Sequence, residues 1–338
     1  MTTPSGQISA QDIKNEFGEH SGKMRMSDYR VSQTVGELTL NIGDGVPSSG
    51  AISFDSLRNK RLNIVVDYYG DNANLNRAAN GDATMNAKTR YNDQNDRVTV
   101  IGGKRSKPSD TSGHRVRIHV NQNIGGKKGE STICALRTGS WNSGTSLIVD
   151  VGGEGAIYGG GGDGGEGGNE LDAGNRGEDG ASALGIDYNG TTVNVASGGL
   201  IRCGFGGGGG GGSGEQNDKN EDRRAGGGGG GGGQGYPGGS GGHGGTAGGG
   251  GGGSNGTAGD LTEAGEGGGG GSRADQAFGR EGGEGGGQGE AADDGVGAQY
   301  SGGEGGSEGS AIRKGSGVSF TLNNSGSVVG NTNQTGVS

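Results

Sequence analysis

The distribution of apolar residues divides the chain into three stretches. In residues 1–61 they stand in short groups behind a serine, at the spacing of a helical turn. In residues 62–156 they form β-branched runs, several of them alternating, separated by Gly and Asn. From residue 157 onward they are scattered among glycines, so a conventional hydrophobic core is expected only before that point.

The first stretch contains a degenerate repeat, a serine followed by a short helical turn. Its copies are "ISAQDIKNEFG" (8–18), "MRMSDYRVS" (24–32) and "AISFDSLRNK" (51–60). Ser9 with Asp12, Ser27 and Ser53 are predicted N-caps, whose hydroxyls accept from free backbone N–H groups. Turns this short are unstable alone. We therefore expect residues 1–61 to attach to something else, or alternatively to form a small helical cap on the next domain.

Residues 62–156 are predicted to form a small β domain. Trp141, the single tryptophan, is expected to anchor its core. The predicted strands are the runs "RLNIVVDYY", "DRVTVIGG", "HRVRIHVNQNI", "STICALRTGSW" and "TSLIVDVGGEGAIY".

The glycine-rich stretch has a period of three. Non-glycine residues keep this phase in four sets: Asp163, Glu166 and Asn169; Gln234, Pro237, Ser240, His243 and Thr246; Glu281, Glu284 and Glu290, with Gly287 at the position between the last two; and Ser301, Glu304, Ser307 and Ser310. A polyglycine-II helix has three residues per turn, as polyproline II does, whereas a flexible linker has no reason to keep a phase. Collagen requires far more proline than the 4 present, and the calcium-binding G-G-x-G-x-D-x-U-x repeat requires a large apolar residue that "GGGGDGGEG" lacks.

A single polyglycine helix has no internal hydrogen bonds, but glycine backbones packed side by side can bond to one another. We predict a layered polyglycine-II sandwich over residues 157–315, closed by a strand and tail at 316–338, with a disordered linker as the alternative. The uninterrupted runs 206–212, 226–233, 248–253 and 267–271 should be central. The predicted helices are 157–168, 204–214, 226–235, 240–253, 265–271, 281–289 and 301–310.

Composition excludes several classes of function. Residues 1–150 carry 19 Lys/Arg and 15 Asp/Glu, and the remainder carries 9 and 23, so the acidic second part argues against nucleic acid as a partner. The chain begins without a secretory signal pattern, and no apolar run is long enough to span a membrane. Cys134 and Cys203 are expected to be buried thiols, with one disulfide as the alternative.

No motif supports catalysis or a cofactor. G-x-G-x-x-G matches arise from glycine content alone, and "GGKKGES" (125–131) lacks the phosphate-loop spacing. His114 and His119 lie on opposite faces of a predicted strand, and "NDQNDR" (92–97) lacks calcium-loop spacing. We expect no enzyme, no metal, no cofactor and no small-molecule substrate.

Three stretches resemble the tip adhesins of the long tail fibres of T-even-type bacteriophages. They are "ALRTGSWNSGTSLIVDVGGEGAIYGGGG" (135–162), "LIRCGFGGGGGGGSG" (200–214) and "VSFTLNNSGSVVGNTNQTG" (318–336). The resemblance implies one adhesin copy per fibre, seated on a trimeric fibre-tip protein through residues 1–61 and the β domain. It also implies a glycine sandwich that presents loops to a bacterial outer-membrane protein, and release of the virion by lysis of the host in whose cytoplasm it is made. Residues 1–61 match the adhesins less clearly than the rest.

The segments that interrupt the glycines are the predicted receptor-binding loops, since binding residues concentrate on loops held by rigid scaffolds. Counting helix directions from Tyr158 places 169–183, 215–225, 254–264 and 290–300 at the far end, and 236–239 and 273–280 near the β domain. Phe278 would reach the far end only if one crossing is miscounted. The predicted receptor-binding residues are Leu171, Asn175, Arg176, Asn217, Lys219, Asp222, Arg223, Arg224, Leu261, Glu263, Asp293, Asp294, Gln299 and Tyr300.

The sequence thus predicts an adhesin at the distal tip of a virion tail fibre that determines host range. A structural tail component whose loops bind nothing is one alternative. A polyglycine-II ice-binding or matrix protein is another, disfavoured because that class needs a flat and weakly charged face.

Overall fold

The β strands form a three-faced parallel solenoid. The structure, a computed structural model, describes residues 2–19, 24–68, 85–218, 221–247, 251–273 and 277–337. Three sheets have the strand orders β19-β12-β9-β6-β3-β5, β21-β18-β11-β8-β4 and β20-β13-β10-β7. The chain visits the six-, four- and five-stranded sheets in turn, as in β9, β10, β11 and then β12, β13, β18. Within these sheets every described pairing is parallel except that of β3 with β5.

The described elements are mostly short strands, and the two α-helices are too short to cross a membrane. The helices are α1 Ala10–Phe17 and α2 Ala87–Asp93, with 3-10 turns at Met26–Tyr29, Asp55–Leu57 and Asn95–Arg97. The strands are β1 Ser32–Val35, β2 Leu38–Asn41, β3 Asn63–Tyr68, β4 Met85–Asn86, β5 Val98–Val100, β6 Arg115–Val120, β7 Asn123–Gly125, β8 Cys134–Arg137, β9 Ser146–Val151, β10 Ala156–Tyr158, β11 Ser182–Ile186, β12 Thr191–Val195, β13 Leu200–Arg202, β14 Gly214–Asp218, β15 Glu221–Ala225, β16 Ser272–Arg273, β17 Ala277–Phe278, β18 Ile312–Lys314, β19 Phe320–Asn324, β20 Ser327–Val329 and β21 Gln334–Thr335.

The solenoid core is made of ladders in which each coil adds one apolar residue above the last. In the six-stranded sheet the register aligns Val66, Ile118, Val149, Val193 and Leu322. The first four of these side chains have 0% exposure. Complete burial of one such side chain stabilises the fold by about 1.5–3 kcal/mol, so the stacked coils supply the main hydrophobic core of the molecule.

The solenoid extends beyond the boundaries expected for the β domain. Strands β11, β12 and β13 fall inside the predicted glycine sandwich, yet they pair with β8, β9 and β10. Strands β18 to β21, expected in part as a closing tail, add the last coil. The β domain is therefore discontinuous in sequence, with the glycine-rich stretches inserted between the four-stranded and five-stranded sheets.

The described residues 2–19 and 24–61 pack as a cap on the first coil. Ser9 and Asp12 form the predicted capping box of α1, and Ile13 and Phe17 of that helix join the solenoid core. Ser27 and Ser53 are not N-caps, because Arg25 and Phe54 hold those positions and neither makes a side-chain cap. The prediction of three N-capped repeats is thus correct for Ser9 alone. The contacts that these residues make with the solenoid core agree with the alternative expectation, a small helical cap on the following domain.

Two other expectations about the β core are confirmed. Trp141 is buried, with its ring centroid 5.2 Å from that of Tyr91 in an edge-on arrangement. Its Nε1 donates to the Thr138 carbonyl at 2.8 Å. Cys134 and Cys203 are both free and buried.

Beyond the strands, the described residues contain ten extended glycine-rich segments that bond side by side. Their hydrogen bonds recur every third residue, as when Gly162, Gly165 and Gly168 donate to Phe205, Gly208 and Gly211. This is the three-residue period expected of polyglycine-II packing. The segments are I (159–168), II (173–181), III (204–213), IV (226–234), V (238–247), VI (251–260), VII (265–271), VIII (279–287), IX (291–297) and X (301–310).

The hydrogen bonds arrange the segments in three layers: V, I and II; then VI, IV, III and X; then VII, VIII and IX. Segment III donates to II, IV and IX and accepts from I, VIII and X, so it has six neighbours. Segment IV likewise donates to I, VI and VIII and accepts from III, V and VII. The uninterrupted glycine runs 206–212 and 226–233 are central, as predicted.

The run 267–271 is not central, contrary to expectation. Segment VII contacts IV, VI and VIII and has one side open. An added Cβ on Gly269 would meet nothing closer than the Ser254 hydroxyl at 3.6 Å. Residues 251–253 of the run 248–253 lie in the outer segment VI, and 248–250 lie outside the described residues. An unbroken glycine run therefore does not by itself require a central position.

Candidate functional site

The segments have two ends with different surroundings. At the base, segments I and III continue from β10 and β13, while II and X lead into β11 and β18. The cis Tyr236-Pro237 turn lies there too, as predicted, since Tyr236 N–H donates to Gly159 and the Tyr158 and Tyr236 rings are in contact. The opposite end, here called the tip, consists of residues 169–172, 213–218, 221–225, 272–273, 277–278 and 297–300.

The tip connections are hydrogen-bonded to one another. Asn169 Oδ1 accepts from Thr246 N at 2.7 Å and from its hydroxyl at 3.0 Å. The Ser213 hydroxyl donates to the Asp172 carbonyl at 2.8 Å. Gln299 Oε1 accepts from Glu215 N at 3.0 Å. These contacts tie the turns that follow segments I and IX to the start of the hairpin β14–β15, so the connections form one surface.

The largest connection at the tip is the antiparallel hairpin β14–β15, whose register pairs Gly214 with Ala225 and Asp218 with Glu221. Arg224 Nη1 of this hairpin lies 2.7 Å from Glu170 Oε2, and Arg224 Nε lies 3.7 Å from Glu215 Oε1. A charge-assisted contact of this kind fixes orientation as well as adding energy. Arg224 therefore holds the hairpin against the turn between segments I and II.

A second, smaller hairpin, β16–β17, lies beside the first. Its register pairs Ser272 with Phe278, and a Cβ on Gly214 would lie 2.2 Å from the Phe278 carbonyl oxygen. The Phe278 side chain is 57% exposed. The expectation that 273–280 lies near the β domain is wrong: the helix count omitted a crossing, and Phe278 is at the tip.

Two of the exposed large apolar side chains lie at this end. Among the described residues the exposed large apolar side chains are Phe54 on the N-terminal cap, Leu171, Phe278 and Val296. Leu171 is in the turn after segment I, and Phe278 is in the hairpin β16–β17, whereas Val296 belongs to segment IX and lines a groove on the side of the sandwich. Exposed apolar side chains grouped on one surface are typical of interaction sites.

Several predicted receptor-binding residues lie at the tip. Leu171, Arg224, Gln299 and Tyr300 are there, and Tyr300 N–H donates to the Ser213 carbonyl. The backbones of Asn217, Asp222 and Arg223 are in the hairpin β14–β15, but their side chains lie outside the described part. Lys219 lies outside the described residues.

Leu261 and Glu263 are at the base, contrary to the predicted position of 254–264. The Leu261 carbonyl accepts from Arg202 Nη2 at 2.6 Å and from Gln234 Nε2 at 3.0 Å. In the same turn the backbone N–H groups of Thr262 and Glu263 lower the pKa of the Asp260 carboxyl, which accepts from both. The misplacement arises because the predicted helix 240–253 is two antiparallel segments, V and VI.

The remaining predicted residues line the sides of the sandwich. Asn175 and Arg176 belong to segment II, where Arg176 lies 2.6 Å from Asp179. Asp293 and Asp294 belong to segment IX, in a groove of about 680 Å³ lined also by Glu266, Glu281 and Glu284. The expected loops 169–183 and 290–300 thus each contain a segment.

Segments II, VI and IX were not predicted as helices, and their sequences show the three-residue glycine period more weakly than the others do. Segment II has glycine only at positions 174, 177 and 180, and segment VI at 253, 256 and 259 besides its first two residues. These glycines face inward: a Cβ on Gly174 would lie 1.9 Å from the Gly210 carbonyl oxygen. One glycine per turn therefore suffices on an outer segment. In segment IX, Ala292 stands three residues before Gly295, at a position where the period calls for glycine.

The described residues contain no group of three or more His, Cys, Asp or Glu side chains able to hold a metal ion. The tip presents backbone edges, polar groups and apolar side chains. Such a surface can bind another macromolecule through shape and contact.

No curated protein matches the chain. A solved structure, the gp37-gp38 adhesin tip complex of the bacteriophage S16 long tail fibre, is similar at 17% identity with a TM-score of 0.37, covering 86% of this chain and 90% of the other. Residues 63–333 match the family described as phage tail fibre adhesin Gp38. The chain therefore belongs to the Gp38 family of phage tail fibre adhesins.

Proposed function

We propose that the tip binds a receptor on the bacterial outer membrane, and that this binding determines the host range of the phage. Membership of a tail fibre adhesin family supports a role at the fibre end. The observation that carries the assignment to the tip is the exposure there of Leu171 and Phe278, which are 39% and 57% exposed. A few side chains that become buried on binding, aromatic ones prominent among them, supply most of the binding energy in typical interfaces.

The layered glycine scaffold supports the same proposal. Each segment is bonded to its neighbours along its length, so the tip connections are held at both ends by fixed backbone. Rigid support lowers the entropy lost when a loop binds. The receptor class we propose is an outer-membrane protein, with one adhesin copy per fibre.

Attachment to the fibre completes the proposal. The similar structure is described as a complex of gp37 with gp38 at the tip of a long tail fibre. We propose that this chain likewise sits on a tail-fibre tip protein, through its cap or its solenoid, and is released with the virion at lysis.

The experiment compares two exposed phenylalanines. Phe278→Ser at the tip should reduce adsorption of the purified adhesin to host cells at least about tenfold, because an anchor of this size contributes more than 1.4 kcal/mol. Phe54→Ser, which removes an equally apolar side chain that is 41% exposed on the N-terminal cap, should leave adsorption unchanged. Equal adsorption by both variants would favour a structural tail component that binds no receptor.

A further inference from the structure

Segment III has an unpaired backbone donor near the base. It donates to segment IX at every third residue, as when Gly209 N–H donates to the Asp293 carbonyl at 2.9 Å. Three residues earlier, the same period would pair Gly206 N–H with the Glu290 carbonyl. That carbonyl instead accepts from Gly287 N–H at 3.1 Å, within the turn that leads into segment IX. Gly206 is buried, and its N–H has no acceptor among the described residues.

A second hydrogen bond of the lattice is absent beside the first, between segments IX and X. Gly295 N–H donates to the Gly303 carbonyl at 2.8 Å, and this antiparallel pairing would next join Ala292 N–H to the Gly306 carbonyl. Neither group is hydrogen-bonded in the described part of the chain, although Gly306 is buried. A Cβ on Gly206 would lie 2.0 Å from the Gly306 carbonyl oxygen, so the unpaired groups are neighbours. Buried backbone groups are nearly always paired, and these three call for a partner.

The residues that carry these unpaired groups line one pocket of about 430 Å³. This volume lies within the usual range of ligand pockets. Phe205, Ala291 and Ala292 supply apolar lining. Two further lining residues, Glu290 and Glu308, are exposed, and neither carboxylate pairs with a cation among the described residues. The pocket therefore combines backbone donors and an acceptor with apolar surface and negative charge.

The pocket lies at the base, away from the tip. The turn 287–290 is held there because Gln288 N–H donates to Gln234 Oε1 at 3.0 Å. Gln234 Nε2 in turn donates to the Leu261 carbonyl at 3.0 Å. No tip residue lines the pocket. A ligand bound here would leave the tip free.

The combination of groups restricts the chemistry of the ligand. A bare cation held by the two carboxylates would leave Gly206 N–H without an acceptor. An anion would be repelled by Glu290 and Glu308. A ligand that satisfies every group has carbonyl acceptors, an N–H donor, an apolar portion and a positive charge. Lysine and arginine residues within a peptide have all four.

We propose that this pocket binds one turn of an extended peptide that carries a lysine or an arginine. In the three-residue-per-turn conformation of the glycine segments, such a peptide would present a carbonyl to Gly206 N–H, as segment IX does to Gly209. A second peptide carbonyl would accept from Ala292 N–H, and a peptide N–H would donate to the Gly306 carbonyl. The peptide would thus extend the lattice by the turn that segment IX lacks.

The side chain of the peptide would supply the remaining contacts. Its aliphatic stem would pack on Phe205, and its charged end would reach Glu290 and Glu308. Long cationic side chains bury their stems and keep the charge near water, which matches a pocket with an apolar floor and two exposed carboxylates. The backbone contacts fix where the peptide lies, and the carboxylates select its charge.

The test titrates the purified full chain with acetyl-Gly-Lys-Gly-amide and follows the backbone amide signals by NMR. The signals of Gly206 and Ala292 should shift, because their N–H groups gain acceptors. Those of Gly209 and Gly295 are the internal controls and should stay in place, since both are already bonded within the same segments. Acetyl-Gly-Glu-Gly-amide has the same length and the opposite charge, and it should bind at least about fivefold more weakly.

Glu290→Gln with Glu308→Gln should weaken binding of the lysine peptide at least about fivefold, because both carboxylates are lost. The matched control is Glu284→Gln with Glu304→Gln, the same change at two exposed residues that do not line the pocket, and it should bind the peptide as the wild type does. Melting temperatures establish that both variants are folded.

Three results would overturn the proposal. The first is no shift of Gly206 or Ala292 at peptide concentrations up to about 10 mM, which would leave these groups to water. The second is equal affinity for the two peptides, and the third is equal affinity of the two glutamine variants. Because peptide binding is measured without cells, these results do not bear on the assignment of receptor binding to Phe278 and the tip.

Discussion

Gly209 and Gly303 approach so closely that a Cβ on Gly209 would lie 1.9 Å from the Gly303 carbonyl oxygen. Gly303 N–H in turn donates to the Gly210 carbonyl at 2.8 Å. The absence of a side chain is therefore what allows segments III and X to bond.

Gly209→Ala should destabilise the protein by about 3 kcal/mol or more. The methyl group would force segment III away from neighbouring backbones, and segment III is hydrogen-bonded to six other segments. The measurement is the free energy of unfolding from denaturant titration. The matched control is Gly269→Ala, the same chemical change at an outer position whose closest contact would be 3.6 Å away. Equal losses in the two variants would falsify the view that close packing, and not glycine content, sets stability.

The ion pair between Arg224 and Glu170 should matter more for binding than for stability. Both side chains are partly exposed, so removing the pair should change the free energy of unfolding by about 1 kcal/mol or less. Arg224→Ala should still weaken adsorption several-fold, because the hairpin β14–β15 loses its hold on the turn after segment I. A double-mutant cycle with Glu170→Ala measures the coupling. Additive effects of the two substitutions on adsorption would show that the pair does not orient the hairpin.

Ser9→Ala should cost about 1 kcal/mol of stability, since it removes the capping box at the start of α1. Ser27→Ala and Ser53→Ala are the controls and should be nearly neutral, as neither hydroxyl caps its turn. Hydrogen bonds from the Ser9 side chain and backbone lower the pKa of Asp12. A lowered carboxyl pKa in the folded state means that this contribution is present at neutral pH and is lost as the pH falls below about 4. Thermal melting of the three variants at pH 7 and pH 3 checks both points.

The two thiols should resist alkylation in the folded protein. Burial raises the pKa of Cys134 and of Cys203 to about 12, and the thiolate is the reactive form. Iodoacetamide at pH 8 should therefore label the protein only after unfolding, which mass spectrometry detects.

The same raised pKa values predict a loss of stability in alkali. Between about pH 9 and pH 12 the unfolded chain has released both thiol protons while the folded chain retains them, so stability falls by about 1.4 kcal/mol per pH unit for each thiol. Replacing both cysteines with alanine should flatten this part of the stability profile. An unchanged slope would assign the alkaline loss to other groups.

Much of the architecture was readable from local sequence. The β-branched runs predicted strands β3 and β5 to β10, the Ser9–Asp12 spacing predicted a capping box, and the three-residue phase predicted laterally bonded glycine helices. Each of these signals arises from a restriction that acts within one turn or one strand, and it therefore appears in a short window of sequence.

The positions of Leu261 and Phe278 were decided by the tertiary structure. An outer segment needs glycine only on its inner face, so the local sequence of segments II, VI and IX indicates loops. Counting helix directions from that pattern therefore gives the wrong end for residues 254–290. Tyr300 was nevertheless placed correctly, because two omitted crossings cancelled before residue 300.

The sequence by itself determined the kinds of element present, since backbone geometry and side-chain period are local properties. The tertiary structure alone decided which glycine run is central, which strands share a sheet across insertions of more than a hundred residues, and which loops meet at the tip. Those outcomes depend on hydrogen bonds between residues distant in the chain, such as Gly303 and Gly210, and no local pattern specifies which distant partner a backbone amide will find.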